Sequence, residues 1–90
     1  MSVTVRIPTQ LRALTQGDGE VGATGDTLAD VIADLDRRYP GIAERLLAEG
    51  SVRRFVNLYV DGEDARFLSG LATPVRSGAA VAIIPAVAGG

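Results

Sequence analysis

Apolar and polar residues alternate at the start of the chain, with Val3, Val5 and Ile7 on one side and Thr4 and Arg6 on the other. A period of two predicts a half-buried strand over 2–8, ended by Pro8, which cannot donate to a ladder. Thr9–Gly19 reads as a loop anchored by Leu11 and Leu14, and Glu20–Thr24 as a short strand with Val21 and Ala23 on one face. The period then changes: Leu28, Val31, Ile32, Leu35 and Tyr39 recur at helical spacing and make one apolar stripe. Thr27 is placed to cap this helix, with Asp30 three residues on approximating a capping box. Arg37 and Arg38 fall in its last turn, where the helix dipole favours cations, and Pro40-Gly41 stops it. Ile42–Glu49 predicts a further short turn of helix, with Ile42 and Leu46 inward and Gly50-Ser51 closing it. Phe55–Val60 reads as a strand carrying Val56, Leu58 and Val60 on one face and Phe55, Asn57 and Tyr59 on the other. Asp61-Gly62 marks a tight turn into a short strand near Asp64–Phe67, and Leu68–Gly78 a loop. Ala79–Pro85 is a nearly continuous apolar run, the pattern of a strand in the middle of a sheet.

The order strand, strand, helix, strand, short strand, strand predicts an α+β fold: a mixed sheet of four to five strands with one main helix packed across it. With the first and last strands adjacent and parallel in the centre, this is the β-grasp, ubiquitin-like arrangement. The expected domain covers 1–84, followed by an extended tail at 85–90.

Composition narrows the chemistry. A chain of 90 residues, 47% hydrophobic, builds one domain with one thin core and favours a binding or carrier module over an autonomous enzyme. It has no Cys and no His, which excludes disulfides, thiolate zinc sites, cysteine nucleophiles and the usual triads. All nine basic residues are Arg, which excludes a Schiff-base Lys or the Lys of a phosphate loop. Such a chain cannot be acylated on its own side-chain amines, although genomic base composition alone also explains the deficit. A formal charge of −2 and the absence of Trp argue against nucleic acid. No apolar run approaches the roughly 18–20 residues needed to span a bilayer, and 1–10 lacks a signal-peptide core. A cytoplasmic protein that needs no membrane and is monomeric when free is the expectation.

Several groupings carry less than their spacing suggests. Gly17, Gly19 and Gly22 match G-x-G-x-x-G, but they precede a strand rather than open a helix, so a hairpin loop accounts for them. Asp61, Glu63 and Asp64 have the wrong spacing for a calcium loop, and Asp30, Asp34 and Asp36 read as a wet helix face. Arg53 and Arg54 read as strand-edge charges that could also meet an acidic partner. The C-terminus is different. Pro85–Gly90 follows the last strand, ends on two glycines and reaches about 20 Å when extended. Residues without Cβ make the slimmest chain for a narrow channel. Inside a partner enzyme the Gly90 carboxylate can attack the α-phosphate of ATP, which asks for no catalytic residue, metal or cofactor in this chain.

Across nearly its whole length the sequence resembles the ThiS/MoaD family of ubiquitin-like sulfur carriers, and within it the CysO-type carriers of actinobacterial cysteine biosynthesis. The resemblance lies in 54–60 (Arg-Phe-Val-Asn-Leu-Tyr-Val), 63–67 (Glu-Asp-Ala-Arg-Phe), 70–73 (Gly-Leu-Ala-Thr) and above all 84–90 (Ile-Pro-Ala-Val-Ala-Gly-Gly). The opening 3–9 and the helix start at 25–28 add to it, whereas 47–53 looks shorter and less similar. The resemblance implies that an E1-like enzyme adenylates Gly90 and that a sulfur donor converts it to a thiocarboxylate. Sulfur then passes to a pyridoxal-phosphate-dependent cysteine synthase fed by O-phosphoserine, and a zinc metallopeptidase releases cysteine from the carrier. Pyridoxal phosphate and zinc belong to those partners. Gly89, Ala88 and Val87 would thread the partner's active site. Phe55, Tyr59 and Pro85 are candidates for the docking surface, local packing under a loop being the other reading of Phe55 and Tyr59. Sulfur supply to molybdopterin, thiamine thiazole or a thio-sugar remains open, as do protein modification through Gly90 and a plain interaction domain.

Overall fold

A computed structural model describes residues 2–53 and 56–85. Strand β1 (Ser2–Arg6) and β2 (Glu20–Thr24) form an antiparallel hairpin, with Val5 opposite Val21 and Arg6 opposite Glu20. Helix α1 (Leu28–Arg38) and the short α2 (Ile42–Leu46) follow, then a small hairpin of β3 (Leu47–Ala48) and β4 (Ser51–Val52). Strands β5 (Val56–Val60), β6 (Glu63–Asp64) and β7 (Ala80–Pro85) complete the described residues. The main sheet runs β2-β1-β7-β5-β6. Its central pair, β1 and β7, is parallel, with Thr4 opposite Ala80 and Arg6 opposite Ala82. The fold is therefore the β-grasp: a mixed five-stranded sheet with one main helix across it.

Alternation along the strands and the stripe on α1 meet in one core. Val3, Val5, Val21, Leu58, Val60, Val81 and Ile83 from the sheet pack with Leu28, Val31, Ile32 and Leu35 from the helix. Ile42 and Leu46 of α2 are fully buried as well. The Thr27 hydroxyl accepts from the Asp30 backbone N–H at 3.2 Å, which caps α1. The chain before the helix is tied to the loop before β7 by Leu28 N–H to the Thr73 carbonyl and Val75 N–H to the Asp26 carbonyl, each at 2.9 Å. Gly25 sits against the first turn of α1, where a Cβ would come within 2.7 Å of the Val31 nitrogen. No helix among the described residues is long and apolar enough to cross a membrane.

Three sequence expectations change. Asp34 is not on a wet face: it is 4% exposed, and its carboxylate accepts from the Thr24 N–H of β2 at 2.9 Å and pairs with Arg37 and Arg38. Asp36 likewise turns inward, accepting from the Gly41 and Ala43 N–H groups, both at 3.1 Å, at the start of α2. The strand expected near Asp64–Phe67 is only Glu63–Asp64, because the Asp64 carboxylate accepts from the Arg66 N–H at 2.9 Å and opens a 3₁₀ turn at Ala65–Phe67. The stretch expected as helix to Glu49 instead leaves helix at Leu46 and turns back as the β3–β4 hairpin, with Glu49 and Gly50 both at positive φ. The glycines at 17, 19 and 22 fall in the β1–β2 connection and in β2 itself, consistent with a hairpin loop.

Candidate functional site

The strand that leads toward Gly90 lies in the middle of the sheet. β7 is held by β1 on one side and by β5 on the other, over five residue pairs from Val60–Val81 to Val56–Pro85. It runs through Pro85, where the sequence pattern also ended the strand. Pairing on both sides fixes the position of the end of β7 at Pro85.

Among the described residues, helices cover one face of the sheet. On the other, Tyr59 of β5 stands between Ala82 of β7 and Asp64 of β6, and Asn57 stands opposite Ile84. Tyr59 and Asn57 are half-buried and Ile84 is 46% exposed, which leaves a modest apolar strip on the open side. Pro85 alternates with Ile84 and so shares the helix-side face with Ile83; it is half-buried. The structure thus puts Ile84, not Pro85, on the face of Tyr59. Phe55, Val87, Ala88, Gly89 and Gly90 lie outside the described residues.

Beyond β6 the 3₁₀ turn carries Phe67, which is 84% exposed, and then Leu68, also exposed. Sequence reasoning placed Phe67 in a strand and missed both; the adjacency of two large apolar residues in a chain with 4% aromatics was the available signal. Arg66 is held to Asp64 by two hydrogen bonds, from Nε at 3.3 Å and from a terminal nitrogen at 2.9 Å. This side-chain contact, with the Arg66 backbone N–H, holds the Asp64 carboxyl below its ordinary value, and the same contact raises Arg66. An open groove of about 580 Å³ separates this turn from the β3–β4 hairpin; Arg53, Val56, Arg66 and Leu71 are among its lining residues. Among the described residues no cluster of His, Cys, Asp or Glu could hold a metal ion.

Many functions share one fold, so the β-grasp architecture does not by itself fix a function. The chain belongs to the ThiS family, whose model matches residues 5–90. It is 55% identical over 93 aligned residues to the sulfur carrier protein CysO of Mycobacterium tuberculosis, with all of both chains covered. A chain in the crystal structure of the BexX/CysO complex of Amycolatopsis orientalis superposes with a TM-score of 0.94 at 48% identity, covering 98% of this chain and 99% of that one. The small archaeal modifier protein 3 of Haloferax volcanii is 41% identical over 64 residues, 71% of this chain and 70% of its own length. The protein is thus a homologue of sulfur carriers, a ubiquitin-like member of the ThiS family.

Proposed function

We propose that the protein carries sulfur as a thiocarboxylate on Gly90 and delivers it to cysteine biosynthesis. The observation that carries this reading is the end-to-end match to a sulfur carrier named CysO, which includes the Gly-Gly at 89–90. In the first step the Gly90 carboxylate attacks the α-phosphate of ATP within an E1-like enzyme, pyrophosphate leaves, and an acyl-adenylate forms. Sulfide from a donor then attacks the acyl carbon, AMP leaves, and one oxygen of the terminus has become sulfur. This chain supplies the terminus and a docking surface, and the chemistry sits in its partners: the activating enzyme, a pyridoxal-phosphate-dependent cysteine synthase and a zinc metallopeptidase. Val87, Ala88 and Gly89 form the slender lead into those active sites, Phe55 and Tyr59 belong to the docking surface, and Pro85, on the helix-side face, joins it only at the end of β7. A relative of this chain occurs in a BexX/CysO complex, which supports docking as a folded domain.

Intact-protein mass spectrometry after incubation with the activating enzyme, ATP and sulfide tests the proposal. The expected product has one oxygen replaced by sulfur on the C-terminal peptide, and transfer to the cysteine synthase separates this pathway from molybdopterin, thiazole or thio-sugar acceptors. An unmodified terminus with a competent activator refutes it. Tyr59→Glu is expected to weaken activation while the domain stays folded, because the side chain lies on the bare face; unfolding would assign Tyr59 to structure instead. The likeness to an archaeal modifier favours, as a second reading, conjugation through Gly90 to lysines of other proteins. Higher-mass conjugates in cell extracts would support that reading.

A further inference from the structure

The groove between the β3–β4 hairpin and the 3₁₀ turns after β6 is chemically unlike the rest of this acidic chain. Its floor is apolar, made by Val52, Val56 and Leu71, each half-buried and packed against the core. Among the described residues its charged lining is Arg53 and Arg66, both exposed, with no carboxylate. Arg66 is partly neutralised by Asp64. Arg53 is not: its Nε donates to the Glu44 carbonyl at 2.7 Å, which fixes the guanidinium, and no carboxylate among the described residues lies within ion-pair distance. A guanidinium held by the Glu44 carbonyl, with no carboxylate of the described residues in reach, beside an apolar floor matches a carboxylate and an apolar side chain presented together.

The groove's position adds to this. Val56 is the register partner of Pro85, so the groove borders the end of the sheet from which the chain continues to Gly90. A protein that receives Gly90 must cover this end.

We propose that the groove seats an acidic peptide segment of the protein that receives Gly90, with a carboxylate on Arg53 and an adjacent apolar side chain on Val52, Val56 and Leu71. The identity of that partner rests on the carrier reading; the binding chemistry does not. The net charge of −2 on the chain disfavours a nucleic-acid segment. The apolar floor distinguishes a peptide from a bare anion.

The test is an NMR titration of the full-length ¹⁵N-labelled chain with heptapeptides in which one Leu is flanked by Asp and Glu. Controls are the same peptides with every carboxylate replaced by its amide, and inorganic phosphate. The acidic peptides are expected to shift the amides of Val52, Arg53, Arg66 and Leu71, and the amide versions to leave them in place. Arg53→Glu should weaken binding by at least roughly tenfold, consistent with loss of a charge-assisted contact. Arg76→Glu, before the opposite end of β7, should leave it unchanged. Should Arg53→Glu disturb the fold, the wild-type chain in high salt provides the same reading, with affinity expected to fall. The proposal is overturned by a silent groove, an equal response to the amide peptides, or the same shifts with phosphate alone. Sulfur loading at Gly90 is measured separately, so a silent groove with a loaded terminus overturns this inference and leaves the carrier reading intact.

Discussion

On the helix side the central strands present Val5, Val81, Ile83 and Leu58, all sealed beneath α1 and α2. On the other side the same strands present Thr4, Ala82, Ile84 and Tyr59, which no helix among the described residues covers. The backbone and the register are common to both faces, so the difference lies in the side chains alone. One face is fitted against two helices, and the other is small, mixed and left for something else to cover. Buried apolar contact, and with it local stability, is concentrated on the helix side.

The largest test of this division removes bulk from each side in turn. Leu35 is 1% exposed at the centre of the α1 stripe, so Leu35→Ala should leave a cavity and cost about 3 kcal/mol. Ile84, 46% exposed on the bare face, should lose less than about 1 kcal/mol as Ile84→Ala. Urea unfolding with an unchanged slope measures both. Equal losses would mean that the open face is structural after all.

Asp34 provides a sharper test, because it is a charge on the sealed side. Its carboxyl is held below the ordinary 3.8, chiefly by the Thr24 N–H and then by Arg38 and Arg37, against the opposing effect of burial. The sign follows from the lowered value. Above pH 3.8 the carboxylate is charged in both folded and unfolded chains, and its stabilisation is complete. As pH falls below 3.8 the unfolded chain takes up the proton first, and the stabilisation is lost by the time the folded value is passed. Asp34→Asn keeps an oxygen for Thr24 but loses the charge facing both arginines. A fall in Tm on the order of 5 °C is expected at neutral pH. As pH falls below 3.8 the variant should also lose less stability than the wild type, since this proton uptake is gone. Thermal melts across that range check both expectations; parallel curves would show that Asp34 does not govern the acid limb.

Much of this was legible in the sequence because it rests on local periodicity. Strand β2, the Thr27 cap and the stop at Pro40-Gly41 needed only patterns of two and 3.6, or one hydroxyl before a stripe. The face of Tyr59 followed from alternation in β5. What escaped depends on contacts distant in sequence. Asp34 sits three residues after Val31, beside the stripe, and only the position of β2 tells that Thr24 N–H needs an acceptor there. The β3–β4 hairpin is two residues on each side, too short to show a period, and only Gly50 hinted at its turn. The groove was invisible for the same reason, since Arg53 and Leu71 meet only after the hairpin and the 3₁₀ turns have folded against β5.

The smallest expected effect isolates what burial adds to a charge pair. Arg6 and Glu20 face each other across β1 and β2, with Nε and Oε2 3.7 Å apart and side chains 71% and 62% exposed. They carry the same charges as Arg38 and Asp34, but water surrounds both partners, and holding two long side chains together offsets most of the attraction. Glu20→Gln should therefore change stability by less than about 0.5 kcal/mol, and any change should fade in high salt, which screens exposed pairs more than buried ones. Melts of Glu20→Gln and Asp34→Asn at low and high ionic strength make the comparison directly. If Glu20→Gln costs as much as Asp34→Asn, seclusion under the edge of the sheet adds nothing to the charge pair of Asp34 with its arginines.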